Sequence, residues 1–523
     1  MPKNIDYDII VIGAGCGGLS AAVCAVKQGY KVLLLERHNS VGGVTSSFVR
    51  GRFEFDTSLN QLCGFGEGAE LGDIAKIANE TGINKKIKWI SIPSAFRLIT
   101  KTRSGEKIDV TMPYGIDNYV ATMEKYIPGS TQSMKKLFLL CEECYLALDK
   151  LGNLGSEQNR SAIRDFLKNN GNFVRTSPYS VNEVLNALDV PQKARDIFEA
   201  YWLHFGIDCD RMSFIHYIST VYPLLRDGAV IPAQRSQALS LALASEFEDN
   251  GGELRLNSHA SRIKFKNNKP YSVVLKNGTE LKAGHIICNC SPSTVYSKMM
   301  KASDVPISAV KRTNARSFGA RAACVYLGLN RAAKDLGIND YTTFITDFSD
   351  SVEQFEAMKA INTNNTLTAV CLNAANPDAS PENTTILQLT TFFTENCWAN
   401  ISPEEYFNEK DMFAARMISA YEKATGIQIY NYIEEIEIST PVSFAEYTGA
   451  PQGVTHGYFG SDWDSLLPRF MTEETDNDIY GLRFCGGWGT QLSGVHNAIA
   501  TGRNTAYATI SDITEERGVI NEQ

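Results

Sequence analysis

The chain opens with a short apolar run, a glycine cluster, and then apolar positions at helical spacing. "YDIIVIGAG" (7–15) is almost continuously aliphatic until glycine stops it, which predicts a strand buried on both faces. Leu19, Ala22, Val23 and Val26 then recur at i, i+3, i+4 and i+7, predicting an amphipathic helix that Gly29 closes. "KVLLLE" (31–36) reads as a second buried strand. Near the other end, "IYGLRFCGGWGTQLSGVHNAIATGRNTA" (479–506) reads as strand, glycine loop and a helix starting near Val495. In the middle, residues 238–296 read as a helix followed by several strands. "KKLFLLCEECYLALDKL" has helical periodicity, so the Cys141–Cys144 pair within it predicts helix packing rather than a redox or zinc site.

The first two strands and their helix form a βαβ pattern with Gly13-x-Gly15-x-x-Gly18 in the turn, where Ala14 and Gly17 also lie. Gly13 permits the tight turn, Gly15 lets a pyrophosphate approach the backbone, and Gly18 lets the helix pack on the strand. The helix start presents unpaired N–H groups to phosphate. Glu36 ends the second strand, where a carboxylate can accept ribose hydroxyls. A purely structural glycine turn would leave Glu36 unexplained, so the pattern predicts a dinucleotide site.

Beyond Glu36 and Arg37, Gly42-Gly43-Val44-Thr45 forms a second glycine loop. This resembles the extended FAD fingerprint of glutathione-reductase-like flavoproteins, in which that loop closes over the pyrophosphate. "GRFEFDTS" resembles their next segment, with Asp56 in place and Ser58 where glycine is usual. The C-terminal strand, loop and helix resemble the other half of the site, where the helix points its positive N-terminus at the flavin pyrimidine. That resemblance assigns Gly486, Gly487, Ser493, Gly494, Val495 and His496 to the flavin end.

The middle segment identifies the family more narrowly. Gly251-Gly252, Asn257, Ala260 and Ile263, then Gly278, Ala283, Asn289 and Pro292, resemble the phytoene desaturase, carotenoid isomerase and retinol saturase family of FAD-dependent oxidoreductases. "STPVSFAEYTGAPQGVTHGY" (439–458) resembles the family segment bordering the substrate cavity. The resemblance implies that Ala260 contacts adenine through its backbone. It also makes Tyr447 and His456 candidates for proton transfer, with structural hydrogen bonding as their alternative role. The chain departs from the family at two places: "VIPAQRSQ" stands before the helix at Ala238 where the family has Y-x-x-G-G, and Gly487-Trp488 stands where the family's aspartate binds the ribityl chain. Trp488 would either cover that region or pack in a core.

The implied fold is α/β, a discontinuous glutathione-reductase-like Rossmann domain of residues 1–110, 226–304 and 471–523. Into it is inserted one α+β substrate domain of 111–225 and 305–470. The inserted stretches hold dense aromatics, including Tyr201, Trp202, Phe205, Phe214, Tyr217 and Tyr222, which suits an apolar substrate. The resemblance implies FAD as cofactor and desaturation, saturation or cis–trans isomerisation of a polyene, isoprenoid or lipid-like molecule. Flavin amine oxidation and non-catalytic FAD or lipid binding stay open beside it.

Composition excludes other classes. Among 523 residues, 50 basic against 59 acidic side chains give a net charge of −9 without a useful basic run, which argues against a nucleic-acid partner. Twelve scattered cysteines suit a reducing compartment. Residues 1–8 show no leader pattern and no apolar run is long enough to span a bilayer, so a cytoplasmic protein is expected. The 134–151 helix could rest on a membrane, although Glu142 and Glu143 disfavour an anionic surface. His204, His216 and His456 lack metal-ligand spacing, and no metal site is expected.

Overall fold

The computed structural model describes residues 5–59, 61–64, 73–153, 160–460, 464–465, 468–469, 478–489 and 494–521. Strand β1 (Tyr7–Ile12), helix α1 (Cys16–Lys27) and strand β2 (Val32–Leu35) form the predicted βαβ unit. β1 lies between β2 and Glu280–Cys288, parallel to both, with Ile10 opposite Leu33 and Ile286. Glu253–Arg255 adds a parallel strand beyond β2, and Leu482–Phe484 adds one beside Glu280–Cys288. An antiparallel pair, Ala260–Lys266 and Lys269–Leu275, completes the sheet.

Both faces of β1 are covered. Ile9 and Val11 enter a core with Leu19, Ala22 and Val23 of α1, with Leu239 and Leu243 of the middle helix, and with Ile499 of the C-terminal helix. Ile10 and Ile12 enter the opposite core with Ile263, Val273 and Leu482. Burial on two sides is why these strands read as continuous apolar runs.

The second sheet has seven strands in the order Ile433–Ser439, Arg321–Leu329, Thr385–Phe393, Leu367–Cys371, Thr342–Ile345, Phe96–Lys101 and Lys107–Met112. Along Arg321–Leu329, Ala322, Cys324 and Tyr326 face one core while Ala323, Val325 and Leu327 face another, under the helix Tyr406–Thr425. The first of these cores joins Tyr119, Phe138, Trp202 and Phe214 from one inserted stretch to Tyr326, Tyr341 and Phe344 from the other.

Phe96–Lys101 falls within the stretch expected to belong to the first unit and Lys107–Met112 crosses its expected end at residue 110, yet both pair into the second sheet, with Arg97 opposite Thr343. Their alternation of apolar and polar residues suits either sheet, and only the distant partner decides. Cys141 and Cys144 are buried, unpaired thiols on the helix Thr131–Asn153, packed in the aromatic core. Among the described residues no helix is long and apolar enough to cross a membrane.

Candidate cofactor and substrate site

The site is built where β1 ends. Gly13 takes φ +98° and donates its N–H to the Leu35 carbonyl at 2.8 Å, turning the chain toward α1. A side chain at Gly18 would collide with the Gly13 carbonyl, so the helix can lie against the turn only as glycine. α1 begins after Gly15 with no side-chain cap, which leaves its first amides for an external acceptor.

Glu36 follows β2 directly and is buried. Its carboxylate accepts the Ala14 N–H at 2.7 Å and the His38 N–H at 2.9 Å, which fixes it beside the glycine turn. The Glu36 carbonyl accepts the Ser258 N–H at 2.7 Å, and this brings Ala260, the first residue of its strand, to the same end of the sheet. The second glycine loop closes on the first: Gly42 donates to the Ala14 carbonyl at 2.9 Å and bridges Gly15. Gly43 follows at φ +57°, and the Val44 carbonyl accepts the Ser58 hydroxyl at 2.9 Å. Thr45 ties the loop down through the Gly42 carbonyl at 2.8 Å and the Ser240 hydroxyl at 2.7 Å.

The C-terminal glycines arrive at the same place. A Cβ on Gly17 would stand 2.5 Å from Gly486 Cα and 2.7 Å from its nitrogen, so the two loops touch backbone to backbone. Gly487 packs its carbonyl against Gly457. The helix Val495–Asn521 lies along α1, with the Ser20 hydroxyl donating to the Ile499 carbonyl at 2.7 Å and Gly502 against the Gly17 carbonyl. Gly494, at φ +108°, precedes that helix with open space around it. Ser493 lies outside the described residues. His496 sets Nδ1 3.3 Å from Cys63 Sγ, and burial pushes its pKa down to about 4, so the ring is neutral.

The residues expected to move protons are not brought together. Tyr447 stands at the Glu36 end. It is 36% exposed and stacks on His38 at 4.6 Å, with its hydroxyl 3.3 Å from that of Ser46. Arg37 donates to the Glu446 carbonyl at 3.0 Å and to that of Tyr447, so the loop after β2 holds the helix Pro441–Thr448. His456 contacts a different set of residues. Its Nε2–H donates to the His204 carbonyl at 2.8 Å, its Nδ1 lies 2.9 Å from the Thr455 hydroxyl, and its ring meets Phe392 edge-on at 4.9 Å. Burial lowers its pKa to about 4. With both nitrogens engaged and the ring neutral, His456 ties two segments together, and no free proton donor results. Trp488 packs edge-on against Tyr458 at 5.1 Å and Phe318 at 6.4 Å, in an aromatic cluster.

Sequence reasoning matched Asn289 to a family pattern but gave it no role. Its amide N–H donates to the Ile12 carbonyl at 2.8 Å, and its side chain fills the space between Gly13, Gly15 and Gly486. It also left Gln61, Cys63 and Tyr114 unremarked, because nothing local distinguishes them; Cys63 touches His496, and Gln61 donates to the hydroxyl of Tyr201, which reads in the sequence only as one of the dense aromatics.

Residues 11–77 match the family described as NAD(P)-binding Rossmann-like domain. The chain is 23% identical over 473 residues to prolycopene isomerase 2, chloroplastic, of an Oncidium hybrid cultivar, covering 86% of this chain and 75% of that one. It is 22% identical over 492 residues to the all-trans-retinol 13,14-reductase of Danio rerio, covering 90% and 79%. Cyclohexylamine oxidase from Brevibacterium oxydans IH-35A superposes with a TM-score of 0.57 at 15% identity, covering 97% of this chain and all of that one, and so shares the fold.

Proposed function

We propose that the chain, which is similar over most of its length to prolycopene isomerases and retinol 13,14-reductases and so fits the carotenoid isomerase and retinol saturase family of FAD-dependent oxidoreductases, acts on the C–C or C=C bonds of an apolar polyene or isoprenoid. FAD is its cofactor, and the donor set fits that group: uncapped amides at the start of α1, a buried carboxylate at Glu36, and glycine loops that leave room for phosphate. When bound, FAD supplies two-electron chemistry, and the chain supplies position and electrostatics.

In this reading Gly13, Ala14, Gly15, Gly17 and Gly18 hold the pyrophosphate, Gly42 to Thr45 close over it, and Glu36 takes the ribose. The Ala260 backbone meets the adenine. Gly486, Gly487, Gly494, Val495 and His496 border the flavin. Arg37 and Tyr447 take a binding role at the nucleotide end, and His456 a structural one. The strands at 96–112 join the inserted stretches as one substrate-binding unit.

The observation that carries the reading is the meeting of the two glycine half-sites at Gly17 and Gly486. The test is to denature the purified protein, quantify the released flavin, and mix reduced holoprotein anaerobically with retinol or prolycopene. Stoichiometric FAD with saturation or isomerisation of either polyene is expected. Turnover of cyclohexylamine with both polyenes untouched would overturn the substrate assignment.

A further inference from the structure

Two polar groups near the C-terminal helix are buried without a hydrogen-bond partner: the Gln61 side-chain oxygen and the Tyr114 hydroxyl. Buried polar atoms are almost always paired, so two in one neighbourhood call for a ligand or a water. Their surroundings connect them. Gln61 precedes the short strand Leu62–Cys63, whose Cys63 pairs with Ala229 and touches His496. The Tyr114 ring packs over Gly228, next to Ala229, where a Cβ would stand 3.7 Å from it. Tyr201 lies between this cluster and an aromatic wall, edge-on to Phe96 at 5.3 Å and to Phe344 at 5.2 Å.

The hydrogen-bond directions are fixed. The Tyr201 hydroxyl donates to the Ala95 carbonyl at 2.8 Å, so toward Gln61 it can only accept, and it does so from Nε2 at 3.1 Å. That orients the Gln61 amide and leaves Oε1 as the unused acceptor. Tyr114 adds an unused O–H donor. One acceptor and one donor at the edge of an aromatic wall complement an alcohol, which gives a hydrogen bond and receives one. An ether or a ketone can satisfy only Tyr114, and a hydrocarbon neither.

Resting on the polyene or isoprenoid reading above, we propose that Gln61 and Tyr114 recognise the terminal hydroxyl of the substrate, which is a long-chain polyene or isoprenoid alcohol rather than a pure hydrocarbon. The hydroxyl donates to Gln61 Oε1 and accepts from Tyr114, and this sets which stretch of the chain comes to rest beside the start of the C-terminal helix.

The test titrates intact holoprotein with all-trans-retinol and with retinyl methyl ether, which differ only in that hydroxyl, following intrinsic protein fluorescence. Wild type is expected to bind retinol at least about tenfold more tightly, the scale of one well-made hydrogen bond to an otherwise orphaned group. Gln61→Leu should erase most of the difference while leaving the affinity for the ether unchanged, whereas Tyr114→Phe, which removes the donor that both oxygens accept from, should weaken both compounds. Equal affinities for the two compounds in wild type would show that a buried water alone satisfies these atoms. That result overturns the proposal and leaves the apolar-substrate reading standing. If neither compound binds, both readings fall. The wild-type comparison decides the matter even where a variant fails to fold.

Discussion

The contact between Gly17 and Gly486 makes a sharp distinction between two neighbouring glycines. In Gly17→Ala the added methyl would stand 2.5 Å from Gly486 Cα and 2.7 Å from its nitrogen, both of them backbone atoms that cannot swing aside. Ordinary carbon contacts begin near ~3.5 Å, so one loop must withdraw by about 1 Å. Overpacking of that kind costs ~1–3 kcal/mol, and the loss falls on the protein with or without its cofactor. Gly15→Ala is different. Its φ of −75° suits alanine, and the new methyl meets only the end of the Asn289 side chain, at 2.9 Å, which can rotate away. The apoprotein should therefore keep its melting temperature. Cofactor binding should still fall, because a methyl at Gly15 stands where the pyrophosphate must approach the amides. Losing one charge-assisted hydrogen bond costs ~1.5–3 kcal/mol, or about 10–150-fold in affinity. The assay is thermal denaturation of apoprotein together with FAD titration by flavin fluorescence. Gly17→Ala should lose in both measurements and Gly15→Ala in the second alone. If Gly15→Ala binds FAD like wild type, the first glycine turn is not the phosphate cradle and the reasoning fails.

Glu36→Ala should also weaken FAD, by the ~1.5–3 kcal/mol of a charged hydrogen bond, and should destabilise apoprotein by orphaning the Ala14 and His38 amides; unchanged affinity in the titration would place the ribose elsewhere. Burial depresses the pKa of His204, His285, His456 and His496 to about 4 and that of His216 to about 3, against 6.5 when unfolded. Because the unfolded chain takes up protons first, stability should be complete above pH 6.5 and fall steadily from there toward pH 4, visible as a lower melting temperature at pH 5 than at pH 7. His216→Phe should flatten that slope, and an identical slope in the variant would count against the assignment. His496→Ala should leave FAD bound but lower its reduction potential, where ~30 mV corresponds to ~1.4 kcal/mol for a two-electron couple; an unmoved potential would leave the helix start alone to carry the effect.

The βαβ unit and its glycine turn were legible because every signal in them is local. Strand, glycines, helix and acid follow one another within 30 residues of chain, and each has a separate physical reason to be there. The C-terminal half was legible through its glycines, but its position against Gly17 depends on helix packing that no spacing encodes. Tyr447 was misplaced for a related reason. It lies in a segment that resembles a cavity border, yet Arg37 and His38 hold its helix at the nucleotide end. Strand pairing was the least legible feature, since Phe96–Lys101 pairs with Thr342–Ile345, which lies far along the chain beyond several helices, and no local pattern names that partner.

The backbone contact between Gly17 and Gly486 also sets an order of events in the making of the protein. The first βαβ unit is made well before the loop and helix that pack against it. Until they arrive, the face of α1 that receives Ile499 has no cover, and the Gly17 side of the turn stands open. A chain that has not yet made these segments lacks the Gly486 side of the contact, so tight capture of a cofactor there should wait for them. Until then the α1 face that receives Ile499 is an exposed apolar surface, the stretch of the first unit most in need of protection during synthesis.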